Sequence, residues 1–278
     1  MEVRKLFKEY SNQLEHLYPR QEAESLVFWL FDYFLGLQRI DILPGNRISQ
    51  IPPNIEQAIT KLMGGMPIQY ITETAPFYGR DFKVTPSVLI PRNETEEMVH
   101  LIIKENKNPA LQIMDVGTGS GCIPVSLVLE MDSPMISALD ISATALDIAK
   151  TNAITYKTAI DFYQVDILNN GFPITNLDIL VSNPPYVRES DKLNMHQNVL
   201  DHEPHLALFV PNDDPLIFYR AIAKKGGTVL KSGGKLYFEI NEALGQEIIG
   251  LLSSLAYDDI RLIEDLNGKD RIVVAIKR

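Results

Sequence analysis

Val181-Ser-Asn-Pro-Pro-Tyr186 concentrates more usable chemistry than any other stretch of this 278-residue sequence. Asn183 offers one carbonyl acceptor and one NH2 donor pair. A proline carbonyl accepts without a competing N–H of its own, so Pro184 and Pro185 add acceptors. Two acceptors converging on one NH2 group would hold a planar nitrogen still and draw on both its hydrogens. Tyr186 can stack on the flat group that carries such a nitrogen. The plainer alternative is an ordinary Asn-Pro turn.

A second chemical stretch is Asp115-Val-Gly-Thr-Gly-Ser-Gly121. Gly117, Gly119 and Gly121 let a ligand approach the backbone closely, and the helix that follows offers free N–H groups. The Gly-x-Gly-x-Gly spacing, with Asp115 just before it, is not the Gly-x-Gly-x-x-Gly dinucleotide fingerprint. It points to a different nucleotide-type cofactor, with a structural turn as the alternative. Asp140 ends the next apolar run and is placed to accept from two ribose hydroxyls. Its rival role is the N-cap of the following helix, for which Ser142 is better suited. Asp166-Ile167 end the third run, where an adenine would lie, with Asp166 on its amino group and Ile167 over its ring. A loop role is the alternative.

The elements that must position these residues follow from periodicity. Leu177 to Val181 is apolar and β-branched enough to be a buried strand. Pro184 and Pro185 cannot continue a central strand, so the chain must turn out at Asn183. Ligands of open α/β sheets bind beyond the carboxyl ends of the strands, which places this turn in a pocket. From Leu111 onward strands and helices alternate: strands at 111–115, 135–140, 160–165, 177–182 and 235–240, and helices at 122–131, 142–155, 214–231 and 242–255. Two last strands, 257–264 and 270–276, turn at Asn267-Gly268. The pattern predicts an α/β fold with a mostly parallel seven-stranded sheet and one antiparallel strand.

Residues 1–72 differ. Val3, Leu6, Phe7, Tyr10 and Leu14 recur at helical spacing, as do Ala23, Val27, Leu30 and Phe31, and then Ile55, Ile59 and Leu62. No strand pattern interrupts them, so a small helical domain is expected there. Residues 73–92 read as a β-hairpin linker, with strand-like runs at Phe77 to Val84 and Val88 to Ile90 around Thr85-Pro-Ser87. The second domain then spans 93–278.

Composition excludes several classes. Hydrophobic residues at 45% and charged residues at 22% are those of a globular protein with a substantial core. The single cysteine, Cys122, excludes an internal disulfide and fits a reducing compartment. The most apolar stretch, Leu26 to Leu37, is too short to span a bilayer and contains Asp32. No signal segment opens the chain, so a cytoplasmic location and no membrane partner are expected. A net charge of −10 and a pI of about 5.0 argue against a nucleic-acid substrate, because phosphate contacts need a basic face. His196, His202, Glu203 and His205 match no common metal-site spacing, and no metal is expected. Cys122 reads as a small helix residue, not a nucleophile.

Asn-Pro-Pro-Tyr resembles the signature of methyltransferases acting on planar amino or amide nitrogens. With Leu89-Ile-Pro-Arg92, Glu94-Thr-Glu96, Asp115 to Gly121, Asp140, Glu203-Pro204, Glu239 and Arg271, the chain resembles the peptide chain release factor glutamine methyltransferases over most of its length. It departs from their pattern at Glu73, usually Gly; Asn93, usually Pro; Pro124, usually small; and Ile167, often aromatic.

The resemblance implies a Rossmann-like class I methyltransferase domain that uses S-adenosyl-L-methionine. It implies as acceptor the side-chain amide of the Gln in the Gly-Gly-Gln loop of bacterial class I release factors. A monomer with no direct DNA or RNA substrate is expected. Carried over, Asn183, Pro184 and Tyr186 act in transfer, and with Pro185 they bind the Gln amide. Asp115, Gly117, Thr118, Gly119, Ser120, Gly121, Asp140, Asp166, Ile167 and Asn183 face the cofactor. Two rivals stand beside this reading: a nitrogen methyltransferase acting on nucleic-acid bases, and a non-catalytic module that binds translation factors.

Overall fold

In the computed structural model, which describes residues 1–255 and 257–278, the elements follow in this order. Helices α1 (Val3–Leu14), α2 (Arg20–Leu35), α3 (Pro53–Met63) and α4 (Ile68–Thr72) come first. Strands β1 (Thr74–Phe77) and β2 (Arg80–Lys83) form a hairpin, followed by α5 (Asn93–Glu105). Then come β3 (Gln112–Val116), α6 (Cys122–Glu130), β4 (Met135–Asp140), α7 (Ala143–Thr155), β5 (Ile160–Gln164) and β6 (Leu177–Ser182). After the turn that leaves β6 lie β7 (Val187–Arg188), α8 (Gln197–His202) and β8 (Phe209–Val210). The chain closes with α9 (Ile217–Val229), β9 (Leu230–Glu239), α10 (Gly245–Ser253), β10 (Tyr257–Glu264) and β11 (Asp270–Lys277).

The residues group into two units, one of Met1–Thr74 with His196–His202, the other of Ala75–Met195 with Glu203–Arg278. In the first unit the apolar stripes pack as their spacing dictates. Leu6 and Leu14 of α1, Leu30 and Phe31 of α2 and Ile55 and Leu62 of α3 are all almost fully buried in one core. Within the same unit His202 Nε2 of α8 lies 3.3 Å from the Gly64 carbonyl, and Asn198 Nδ2 lies 3.5 Å from the Tyr18 hydroxyl. Glu73 closes α4 in the left-handed conformation, with φ +52, where the resembling family usually carries Gly. A residue with a Cβ holds that conformation at a cost of about 1–2 kcal/mol.

In the second unit seven strands lie in the order β10-β11-β9-β6-β3-β4-β5. The pairs β3–β4, β4–β5, β3–β6 and β6–β9 are parallel, and β11 runs antiparallel to both its neighbours, as the alternation predicted. Successive residues of the central strands feed opposite faces, which is why short apolar stretches such as Ile179-Leu-Val181 and Leu236-Tyr-Phe238 stand where a half-exposed strand would alternate. Met114, Leu180, Leu236 and Phe238 join one core with α9 and α10, while Ile113, Ile179, Val181 and Tyr237 join the other with α5 and α6. No helix among the described residues is long and apolar enough to cross a membrane.

The hairpin turns earlier than its composition suggested. It reverses at Tyr78-Gly79, not at Thr85-Pro-Ser87, and both turn residues have positive φ, +49 and +73. Two successive left-handed residues give a turn whose twist matches paired strands, and that outweighs the poor fit of Tyr to such a conformation. Thr85 to Val88 forms a separate turn, closed by Val88 N–H donating to the Thr85 carbonyl at 3.0 Å.

Candidate active site

The chain leaves β3 towards β4 and β5 on one side, then returns to β6 on the other side of β3. The carboxyl ends of these strands therefore diverge around a crevice, the usual ligand position in an open sheet. A cavity of about 350 Å³ lies there. Its wall takes Gly117 and Gly119 after β3, Asp140 to Ser142 after β4, Asp166 and Ile167 after β5, and Asn183 to Pro185 after β6. Sequence motifs separated by more than 60 residues thus line one cavity of a size usual for small-molecule ligands.

The glycine loop is held by backbone bonds. The Gly117 and Thr118 N–H groups both donate to the Leu139 carbonyl, at 2.9 and 3.0 Å. Gly117, Gly119 and Gly121 all have positive φ. A Cβ at Gly117 or Gly119 would meet no protein atom within 4 Å, so the missing side chains leave the cavity side of the loop open. Gly121 serves packing instead, since a Cβ there would lie 3.0 Å from the Cβ of Ala149 on α7. Pro124 sits in the first turn of α6, where its lost N–H has no helical partner to begin with.

Asp140 braces this loop. One of its oxygens accepts from Gly119 N–H and the other from Ser142 N–H, both at 2.9 Å. Burial raises its carboxyl above the ordinary range, and those backbone donors pull against the rise. The helix cap falls to Ser142, whose hydroxyl accepts from Ala145 N–H at 3.2 Å. Asp166 folds its carboxylate onto its own turn, accepting from Leu168 N–H at 2.9 Å and from Asn169 Nδ2 at 2.6 Å. Ile167 is buried beside it.

Asp115, Thr118, Ser120 and Gly121 lie behind the cavity wall and not in it. Asp115 is fully buried, and neither of its carboxylate oxygens has a hydrogen-bond partner among the described residues. Burial pushes its carboxyl up to about 7. The Thr118 and Ser120 hydroxyls are likewise buried and unpartnered. The Cys122 thiol is buried and pushed up to about 12, which keeps it protonated and inert.

At the far side Ser182 Oγ donates to the Val116 carbonyl at 2.7 Å, tying the end of β6 to the end of β3. Asn183 follows, and its Nδ2 donates to Thr95 Oγ1 of α5 at 3.2 Å. Thr95 Oγ1 donates to Glu239 Oε2 at 2.6 Å, and the Tyr186 hydroxyl donates to Glu239 Oε1 at 3.3 Å. Tyr186 packs against the sheet core and is not in the cavity wall; burial, then the charge of Glu239, raises its hydroxyl above the ordinary range. Arg92 pairs with the buried Glu203 at 2.6 Å, which joins the Leu89–Arg92 segment to Glu203-Pro204.

Three supporting residues carry no motif. Asn152 of α7 donates from Nδ2 to the Ser120 and Lys83 carbonyls, at 2.8 and 2.9 Å, and so ties the glycine loop to the hairpin. Lys225 of α9 donates to the carbonyls of Ile167, Leu168 and Asn170, gathering the turn after β5. Glu239 closes the hydrogen-bond chain behind Asn183 and Tyr186. Its presence among the segments shared with the resembling family was the only sequence signal for any of the three.

The glycine cradle after β3, Asp140 at the end of β4 and Asn-Pro-Pro-Tyr after β6 all fall within one stretch that matches a methyltransferase family. Residues 95–206 match the methyltransferase small domain family. A methyltransferase from Pyrococcus furiosus shares the fold, with a TM-score of 0.54 at 14% identity over 72% of this chain and 90% of that one. The release factor glutamine methyltransferase of Bacteroides thetaiotaomicron is 46% identical over 94% of this chain and 95% of its own. That of Flavobacterium psychrophilum is 40% identical over 96% and 98%. The chain belongs to the release factor glutamine methyltransferase family.

Proposed function

We propose that the cavity binds S-adenosyl-L-methionine and that the chain passes its methyl group to the Gln side-chain amide of the Gly-Gly-Gln loop in bacterial class I release factors. The observation that carries this reading is a shared wall. Asn183, Pro184 and Pro185 line the same cavity as Gly117, Gly119 and Asp140, in a chain whose family relationship covers nearly its whole length.

The residues present fit the cofactor. Gly117 and Gly119 leave open space where a Cβ would stand. Each Asp140 oxygen takes one backbone N–H and keeps a lone pair for a ribose hydroxyl. Ile167 gives an apolar surface for an adenine, and Asp166 accepts from its amino group. The cofactor supplies an electrophilic methyl group on a sulfonium. The protein's own task is the nucleophile, and an amide nitrogen is a poor one because its lone pair is delocalised. Asn183 Oδ1 and the Pro184 carbonyl accept the two amide hydrogens and hold the nitrogen still. These acceptors gain strength as positive charge grows on that nitrogen, so they stabilise the transition state more than the ground state, and the nitrogen then gives up one of its two hydrogens to solvent as a proton.

In this reading the enzyme works in the cytoplasm as a monomer. The helical unit exposes Tyr33, Leu43 and Met63, and the described residues of the cavity wall all belong to the other unit. We assign it the docking of the release factor body. Mass spectrometry of release-factor tryptic peptides after incubation with enzyme and cofactor should find one methyl group on the Gly-Gly-Gln glutamine. Methyl transfer to DNA or RNA, or to nothing, would overturn the reading. A free Gly-Gly-Gln peptide should show a much higher KM than the intact factor; equal values would remove the docking role.

A further inference from the structure

Glu239 ends β9 with its side chain 1% exposed, where a carboxylate needs donors to offset its lost hydration. It has two: Thr95 Oγ1 at 2.6 Å on Oε2, and the Tyr186 hydroxyl at 3.3 Å on Oε1. An ionised carboxylate only accepts, so the single Thr95 hydroxyl proton must point at Glu239. Thr95 Oγ1 then presents lone pairs to Asn183, and only the NH2 end of that amide can meet them, at 3.2 Å. Asn183 Oδ1 is thereby turned away from Thr95, without a hydrogen-bond partner among the described residues.

We propose that Glu239 is a positioning residue which, acting through Thr95, sets the flip of the Asn183 amide so that its carbonyl and not its NH2 faces the substrate nitrogen. Through Tyr186 the same carboxylate anchors the other end of the turn. This role rests on the methyl-transfer reading above and says what makes that site an acceptor for an NH2 group.

The chain of bonds has a defined opposite state. A protonated Glu239 donates to Thr95, Thr95 then donates to Asn183 Oδ1, and the NH2 end turns to the substrate. Two donors would face each other there, and binding would be repulsive. Burial pushes the Glu239 carboxyl up to about 7, and the charge of Glu94 on α5 acts in the same direction. Thr95, Arg271 of β11 and Tyr186 oppose them. From α9, Tyr219 donates to the Glu239 backbone carbonyl at 3.2 Å, its own hydroxyl held protonated by burial. The flip therefore titrates near neutral pH, with the productive state on the alkaline side.

Two measurements test this, one of them independent of the substrate. In NMR of the free full-length chain, the Asn183 side-chain NH2 signal, identified by its loss in Asn183→Ala, should move with pH about a midpoint near 7. Glu239→Gln should abolish that titration. In kinetics with an intact release factor, Glu239→Gln and Thr95→Val should each lower kcat about 10- to 100-fold, the scale of a misplaced reacting group. Cofactor affinity should hold, Thr95→Ser should stay within a few-fold of the parent, and the Glu239→Gln/Thr95→Val double variant should be no worse than its worse single. A parental Asn183 signal indifferent to pH, or a Glu239→Gln enzyme with the parental kcat and pH profile, overturns the proposal. If the NH2 signal titrates as expected but no release factor is methylated, the positioning role stands and the substrate reading falls.

Discussion

At the glycine end of the cavity the main chain does the holding, whereas at the Asn183 end side chains hold side chains. Gly117, Thr118 and Gly119 are fixed by N–H groups donating to the Leu139 carbonyl and to one carboxylate, Asp140. All of these lie within 24 positions of one another, on one strand–loop–helix unit and the strand beside it. Asn183 is fixed by Thr95 of α5, which is fixed by Glu239 of β9, which also takes Tyr186. That chain crosses three elements remote in sequence, and each link is a single side-chain bond. A frame of backbone amides keeps its dipoles whatever the neighbouring side chains are. A relay of side chains has a proton direction that one substitution can reverse. The cofactor end should therefore tolerate substitution better than the acceptor end.

The largest expected effect lies at the acceptor end. Asn183→Ala removes an acceptor aimed at developing charge and should lower the methylation rate by about 10²–10³. Asn183→Asp keeps the acceptor but offers Thr95 no donor, and it sets a second carboxylate against a hydroxyl with one proton. It should retain more activity than the Ala variant and less than the parent. If both variants methylate at the parental rate, with the fold intact by circular dichroism, Asn183 is only a turn residue and the comparison loses its second half.

Of the side chains that brace the glycine loop, Asp140 is the one that also lines the cavity. Asp140→Ala should weaken S-adenosyl-L-methionine binding by about 1–3 kcal/mol, the usual loss for a charge-assisted bond. The kcat at saturating cofactor should change little, because Asn183 and its relay are untouched. Calorimetry showing unchanged affinity would make Asp140 a brace for Gly119 and Ser142 and nothing more.

The same contrast governs what could be read before the fold was known. The glycine loop, the strand that carries Asp140 and the turn at Asn183 declare themselves within seven residues each, through Gly spacing, apolar runs and a pair of prolines. Both faces of the central strands are buried, and their short apolar stretches, without alternation, said so. Beyond the motif itself, the acceptor end showed only in the family resemblance, which included Thr95 and Glu239 without linking them. Thr95 and Glu239 stand 144 positions apart, and no period links them. Asn152 looked like any polar residue inside a helix, and Lys225 like any solvated lysine, until their carbonyl partners were in place. The hairpin turn was misplaced because Thr85-Pro-Ser87 is a good turn sequence, while Tyr78 is a poor residue for φ +49. Strand pairing decided between them.

The smallest effect gives the sharpest check on the main-chain frame. Ser142 plays two parts at the cofactor end: its hydroxyl caps α7 by accepting from Ala145 N–H, and its backbone N–H donates to Asp140. Ser142→Ala removes the first and leaves the second. Losing an N-cap oxygen should cost about 1 kcal/mol of stability, visible as a lower denaturant midpoint at an unchanged slope. Cofactor affinity should stay at the parental value, because Asp140 still receives Gly119 and Ser142 from the backbone. A tenfold weaker cofactor affinity would mean that the loop depends on the cap hydroxyl and its neighbour Thr144, whose oxygen lies 2.9 Å away. The cofactor end would then be a side-chain relay as well, and the difference in tolerance between the two ends should disappear.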